Sequence, residues 1–190
     1  MLEAQAMVQA QRPDVLLILV PRHKDRFVGI ADLLARRGIR FSRRSLAEPV
    51  NEDCQVLLAD TLGELPTLYA AADVAFVGGS LVPIGGHNLL EPAALEMPVL
   101  TGPSHFNGTE IAQMLLQQGA AFEVANVADL AANLLRLFDD PAERQRMGGF
   151  GLKVVAANRG SVRRLAELIE ASLAPDPAPA RIAAHPSTGN

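Results

Sequence analysis

FVGGSLVPIGGHNLLEPAALEMPVLTGP, residues 76–103, sets two pairs of glycines between apolar runs. It reads as a buried strand, a glycine-rich turn, a short helix opening at Asn88, and a second strand from Pro98. Gly78, Gly79, Gly85 and Gly86 leave bare backbone on both sides of the loop, with a helix start directly after it. Exposed N–H groups at a helix start favour an anion, most often a phosphate. Glu91, one turn into that helix, adds a carboxylate suited to accept hydrogen bonds from sugar hydroxyls. A loop for phosphate beside an acid for ribose outlines a nucleotide site.

Outward from this unit, short apolar runs alternate with amphipathic helices. Strands are predicted over 15–20, in IRFS at 39–42, and over 55–59, 74–77, 98–100 and 121–124. Between them, helices are predicted over 25–37, 63–71, 89–96 and 111–118, and Arg43 to Asp53 reads as a mobile connection. The first of these helices sets Phe27, Ile30, Leu33 and Leu34 on one face and ends at Gly38. Beyond Asn126 the pattern is helical throughout, over 127–138, 141–157 and 161–173, with Pro141 in the first-turn position it tolerates. The expectation is an α/β fold: a doubly wound, mainly parallel, six-stranded Rossmann-like sheet with extra C-terminal helices. Residues 1–174 are expected to form the binding domain, and the Pro- and Ala-rich segment 175–190 a disordered tail.

Composition narrows the function. The 190 residues are 49% apolar with a net charge of -4, enough for one good core and without a broad basic field for nucleic acid. Aromatics make up 4% and Trp is absent, which also argues against platforms for stacking bases. Cys54 is the single cysteine, so no internal disulfide or cysteine-based zinc cluster is expected, and it reads as a packing residue. The four His show no ligand spacing and no Asp-x-Asp pair occurs, so neither metal nor cofactor is expected. No apolar run approaches the roughly 20 residues that span a bilayer, and the polar opening LEAQAMVQAQ is not a signal peptide. A cytoplasmic protein is expected.

In a doubly wound sheet, ligands bind at the carboxyl ends of the strands, and three polar loops fall there. After strand one come Pro21, Arg22 and His23, where Arg22 can fork onto a phosphate or carboxylate. After strand three comes Asp60-Thr61-Leu62-Gly63-Glu64, which reads both as a tight turn for a base edge and as a helix cap with Thr61 and Glu64 as reciprocal partners. After strand four come Gly79, Ser80, Gly86, His87 and Asn88. Ser80 lacks the G-x-S-x-G spacing of a nucleophile, so its hydroxyl is expected to line a phosphate or sugar pocket. Asn88 is a natural helix cap, and His87 either orients the loop or meets the ligand. His105-Phe106-Asn107 reads as a loop tied down by Phe106.

Taken together, PRH at 21–23, LADTLGEL at 58–65, DVAFVGGSLVPIGGHNLLEP at 73–92 and GPSHFN at 102–107 resemble the carboxy-terminal half of the bacterial 3-deoxy-D-manno-octulosonic acid (Kdo) transferases, within the GT-B glycosyltransferases. The resemblance covers about residues 15–170; Lys24 stands where Pro is expected in that family and Leu89 where Pro is common. It implies a domain that binds CMP-Kdo for transfer to a lipid A precursor in lipopolysaccharide synthesis. Pro21 and Arg22 would contact CMP, the loop Leu62, Gly63 and Glu64 would hold it, and Asn88, Leu89, Leu90 and Glu91 would meet its phosphate and ribose. By the same resemblance the general base, the lipid acceptor site and the inner-membrane surface belong to an amino-terminal domain that this chain is expected to lack. The chain alone would bind CMP without catalysing transfer, and the longer protein would sit at the cytoplasmic face of the inner membrane. Two rivals are a GT-B domain for a UDP- or GDP-sugar and a non-catalytic nucleotide-binding module.

Overall fold

Among the described residues, the short β-branched and leucine-rich runs become six strands of three residues each, and the amphipathic stretches between them become helices. The computed structural model describes residues 1–159. The helix expected over 161–173 and the tail expected over 175–190 lie outside the described residues. In chain order the elements are α1 (Leu2–Gln9), β1 (Leu17–Leu19), α2 (Phe27–Arg36), β2 (Phe41–Arg43), β3 (Val56–Leu58), α3 (Leu65–Ala70), β4 (Ala75–Val77), α4 (Leu90–Ala93), β5 (Val99–Thr101), α5 (Thr109–Gln117), β6 (Ala121–Glu123), α6 (Val127–Asp139) and α7 (Pro141–Asn158).

Every strand pairing is parallel, as the alternation with helices requires. Leu17 of β1 and Phe41 of β2 both align with Val56 of β3, and Ala75 of β4 and Ala121 of β6 both align with Val99 of β5. One six-stranded ladder was expected; the strands instead form two three-stranded sheets, in the orders β1-β3-β2 and β4-β5-β6. The facing edges of β1 and β4 border a common cleft, lined by Leu16 to Val20 on one side and Val74 to Val77 on the other.

Period-two alternation explains how the second sheet is covered on both faces. Val77, Val99 and Ala121 pack with Leu89, Ala112 and Leu115 in one cluster. Their neighbours Phe76, Leu100 and Phe122 point the other way, to Ala4 and Val8 of α1 and Leu130 and Leu137 of α6. Leu100, Leu115, Leu130 and Leu137 are fully buried, each contributing about 1.5–3 kcal/mol relative to exposure. The first sheet packs Val56 and Leu58 on Ala31 and Leu34 of α2, with Ile30 beside them. Asp140 starts α7 by accepting a hydrogen bond at Oδ1 from the Glu143 amide at 2.8 Å, and Pro141 follows as the sequence indicates.

Helix α7 crosses close to the turn that follows α4. A Cβ placed on Gly148 would lie 1.8 Å from the carbonyl oxygen of Glu96, whereas one on Gly149 would meet nothing within 4 Å. Gly148→Ala is therefore expected to destabilise the fold by about 1–3 kcal/mol, the usual cost of overpacking. Gly149→Ala, in the same helix, should be neutral or stabilise by up to about 1 kcal/mol. Urea unfolding of the two variants checks this opposition.

Candidate functional site

Three loops leave the carboxyl ends of β1, β3 and β4 and meet at one mouth of the cleft between the sheets, a space of ≈ 780 Å³. Pro21 and Arg22 come from the first loop, Thr61, Leu62 and Gly63 from the second, and Gly78, His87, Asn88 and Glu91 from the third. The third loop is held by its neighbour after β5. The Ser80 hydroxyl, fully buried, donates to Val77 O at 2.7 Å and accepts from the Gly102 amide at 2.8 Å. A Cβ on Gly102 would lie 2.3 Å from Ser80 O, so the approach of the two loops requires glycine there. Further along, Ser104 N donates to Ser80 O, Gly85 N donates to the Ser104 hydroxyl, and Asn107 Nδ2 donates to the carbonyls of Ile84 and Gly86.

Arg22 Nη1 lies 2.7 Å from His87 Nδ1 and joins the first loop to the third. Guanidinium groups only donate, so Nδ1 accepts and the ring carries its proton on Nε2. Burial first, then the charges of Arg22 and His23, hold the His87 pKa below its ordinary value and keep the ring neutral. Asn88 Oδ1 accepts from the Leu90 amide at 3.0 Å, while its Nδ2 donates to Glu91 Oε1 at 3.0 Å. One amide side chain thus turns the chain into α4 and aims the carboxylate, whose second oxygen remains an acceptor at the cleft. Tyr69, the single tyrosine, lines the cleft nearby; burial and then the charge of Glu91 push its hydroxyl pKa up.

Of the residues singled out in the sequence, Pro21, Arg22, Leu62, Gly63, His87, Asn88 and Glu91 are brought together at the cleft. His23, Gly79, Gly86 and Leu90 adjoin them in the chain without lining it. Leu89 is buried in the core of the second sheet. Ser80 does not present the pocket hydroxyl expected of it, because both its donor and its acceptor are spent inside the fold. The Glu64 carboxylate is bound to Thr61 and Arg44 and lies off the cleft, so Thr61 meets the side chain of Glu64 instead of capping the helix backbone. Helix α4 is four residues long, against the eight expected over 89–96, since the chain leaves it for a turn ending at Glu96 in the left-handed region, φ 57°. The loop after β5 is tied by Asn107, whose amide bridges the carbonyls of Ile84 and Gly86, and the 64% exposed Phe106 ring lies against Gly85. Tyr69 was missed: it sits mid-helix, and only the tertiary placement of α3 beside α4 brings it to the site.

Among the described residues, no group of three or more His, Cys, Asp or Glu side chains could hold a metal ion. Among the same residues no helix is long and apolar enough to cross a membrane.

The family profile described as Glycosyl transferases group 1 matches residues 1–154. The chain belongs to that glycosyl transferase family. Two curated relatives are named 3-deoxy-D-manno-octulosonic acid transferase. One, from Haemophilus influenzae, is 44% identical over 89% of this chain and 40% of its own length; the other, from Bordetella pertussis, is 40% identical over the same shares. This glycosyl transferase chain therefore spans about 40% of the length of these relatives. Among solved structures it is similar to the C-terminal CMP-Kdo binding domain of WaaA from Acinetobacter baumannii, with a TM-score of 0.77 and 33% identity, over 81% of this chain and 80% of that one. The α/β architecture expected from the strand–helix alternation is the one this neighbour has.

The Arg22–His87 contact has a measurable signature. In an NMR titration the His87 ring should titrate below the 6.5 of a free imidazole, and Arg22→Ala should raise its pKa partway, since burial is the larger cause. A depressed folded pKa means that His87 contributes stability present above about pH 6.5 and lost as pH falls through the folded value. Thermal unfolding at pH 7 and pH 5 should therefore show a smaller acid-induced loss in His87→Gln than in the wild type.

Proposed function

We propose that this chain is the donor-binding half of a Kdo transferase and holds the CMP portion of CMP-Kdo at the mouth of the cleft. The observation that carries the reading is the similarity to a CMP-Kdo binding domain at a TM-score of 0.77, joined to the convergence of Arg22, His87, Asn88 and Glu91 on one cleft. In this account Arg22, fixed by His87, uses its remaining donors on the phosphate. The anomeric C–O bond of Kdo breaks as the acceptor hydroxyl attacks, and the electron pair leaves with CMP. A cation already in place stabilises that charge without reorganising. The free oxygen of Glu91, its other oxygen held by Asn88, accepts a ribose hydroxyl. Backbone of Leu62 and Gly63 faces the base. The lipid A precursor and the general base belong to the amino-terminal part of the longer protein, which acts at the cytoplasmic face of the inner membrane.

Calorimetric titration with CMP, UMP, GMP and AMP tests the donor. Preference for CMP is expected, and Arg22→Ala and Glu91→Ala should each weaken CMP binding about tenfold or more, the scale of a lost charge-assisted hydrogen bond at about 1.5–3 kcal/mol. Preference for another nucleotide would move the chain to a different donor.

A further inference from the structure

The last residue of β2 and the first of the turn after it are consecutive arginines, and each grips one end of the loop after β3. Arg43 Nε and Nη2 reach Asp60 Oδ2 at 2.8 and 2.7 Å. The Asp60 carboxylate, only 1% exposed, also accepts from the Ser45 amide at 2.8 Å and from the Ser45 hydroxyl at 2.7 Å. At the far end, Arg44 Nη2 reaches Glu64 Oε1 at 2.6 Å, and the other Glu64 oxygen accepts from the Thr61 hydroxyl. Arg43 N donates to Glu48 Oε2 at 2.7 Å, and Ala47 takes the left-handed φ of 52°, so the gripping segment is itself folded back on the chain.

Between the two grips lie Leu62, 55% exposed, and Gly63, φ 82°, both at the cleft. Each carboxylate oxygen of Asp60 and Glu64 has a protein partner and neither side chain lines the cleft, so what the loop offers a ligand there is its backbone, and backbone recognition depends on the loop having one shape.

We propose that Arg43 and Arg44 are positioning residues: through Asp60 and Glu64 they set the shape of the 61–63 backbone that reads the pyrimidine edge of the nucleotide, and so fix base selectivity. This rests on the nucleotide reading given above. Burial works against the charge of Asp60, but the Ser45 and Arg43 bonds outweigh it and hold its carboxyl below the usual range, so the grip stays charged at neutral pH.

Arg44 is the variant of choice, because its side chain is 46% exposed and its removal spares the core. Wild type, Arg44→Ala and Arg44→Lys are compared by backbone amide exchange over 60–65 and by calorimetric titration with CMP and UMP. Arg44→Ala should exchange faster over 61–64 with β3 unchanged, and its CMP-over-UMP preference should fall about tenfold. Arg44→Lys should restore most of both, since a single N–O contact is within a lysine's reach. An unchanged CMP-to-UMP ratio in Arg44→Ala, or unchanged exchange of the loop, would overturn the proposal. Wild type that binds no CMP would instead sink the nucleotide reading, and the exchange data would still decide whether the grip orders the loop.

Discussion

Ser80 sits where the ends of β4 and β5 part, and its buried hydroxyl joins them: it donates back into its own strand at Val77 and accepts from Gly102 across the gap. A side chain at position 102 would collide with the Ser80 backbone, so the stitch needs serine on one loop and glycine on the other. With those two loops locked, the turn through Gly85 and Gly86 has one course, His87 is delivered to Arg22, and Asn88 can turn the chain into α4 with Glu91 in place. The site is a consequence of that seam. Its polar groups are held in place by contacts within the protein, the preorganisation that stabilising a developing charge requires.

A second constraint shapes the approach to the cleft. Arg22 and His87 are close enough that the ring must be neutral, and burial keeps it so. The imidazole therefore works as a brace for the guanidinium and adds no charge of its own. Directly after His87 in the chain, the pair Asn88 and Glu91 repeats the arrangement with the sign reversed: an amide orients a carboxylate. A cationic fork and an anionic acceptor, each held by a neutral partner, suit a ligand that carries phosphate at one end and hydroxyls at the other.

Much of this was legible in the sequence, for identifiable reasons. Continuous apolar runs such as VLLILV and VAFV announce parallel strands, although β1 is only half-buried, and the glycine pairs around Ser80 mark where backbone must bend tightly or approach closely. Arg22, Asn88 and Glu91 were found because they sit at fixed offsets from strand ends. What escaped was tertiary. Ser80 looks like a pocket hydroxyl until Gly102 is seen against it. Glu64 reads as a cap partner of Thr61 and a member of the CMP-holding loop, and its bond to Arg44 comes from a segment that reads as a mobile connection. Tyr69 has no local signal at all. The separation of β1 from β4 was equally invisible, since pairing between strands more than fifty residues apart leaves no mark on either run.

Amide chemical-shift mapping decides whether the three loops form one nucleotide site. With the ¹⁵N-labelled chain titrated with CMP, the account predicts the largest shifts at Arg22, Leu62, Gly63, Asn88 and Glu91, saturating together with a single affinity. Shifts confined to one of the loops, or scattered over residues away from the cleft, would contradict it.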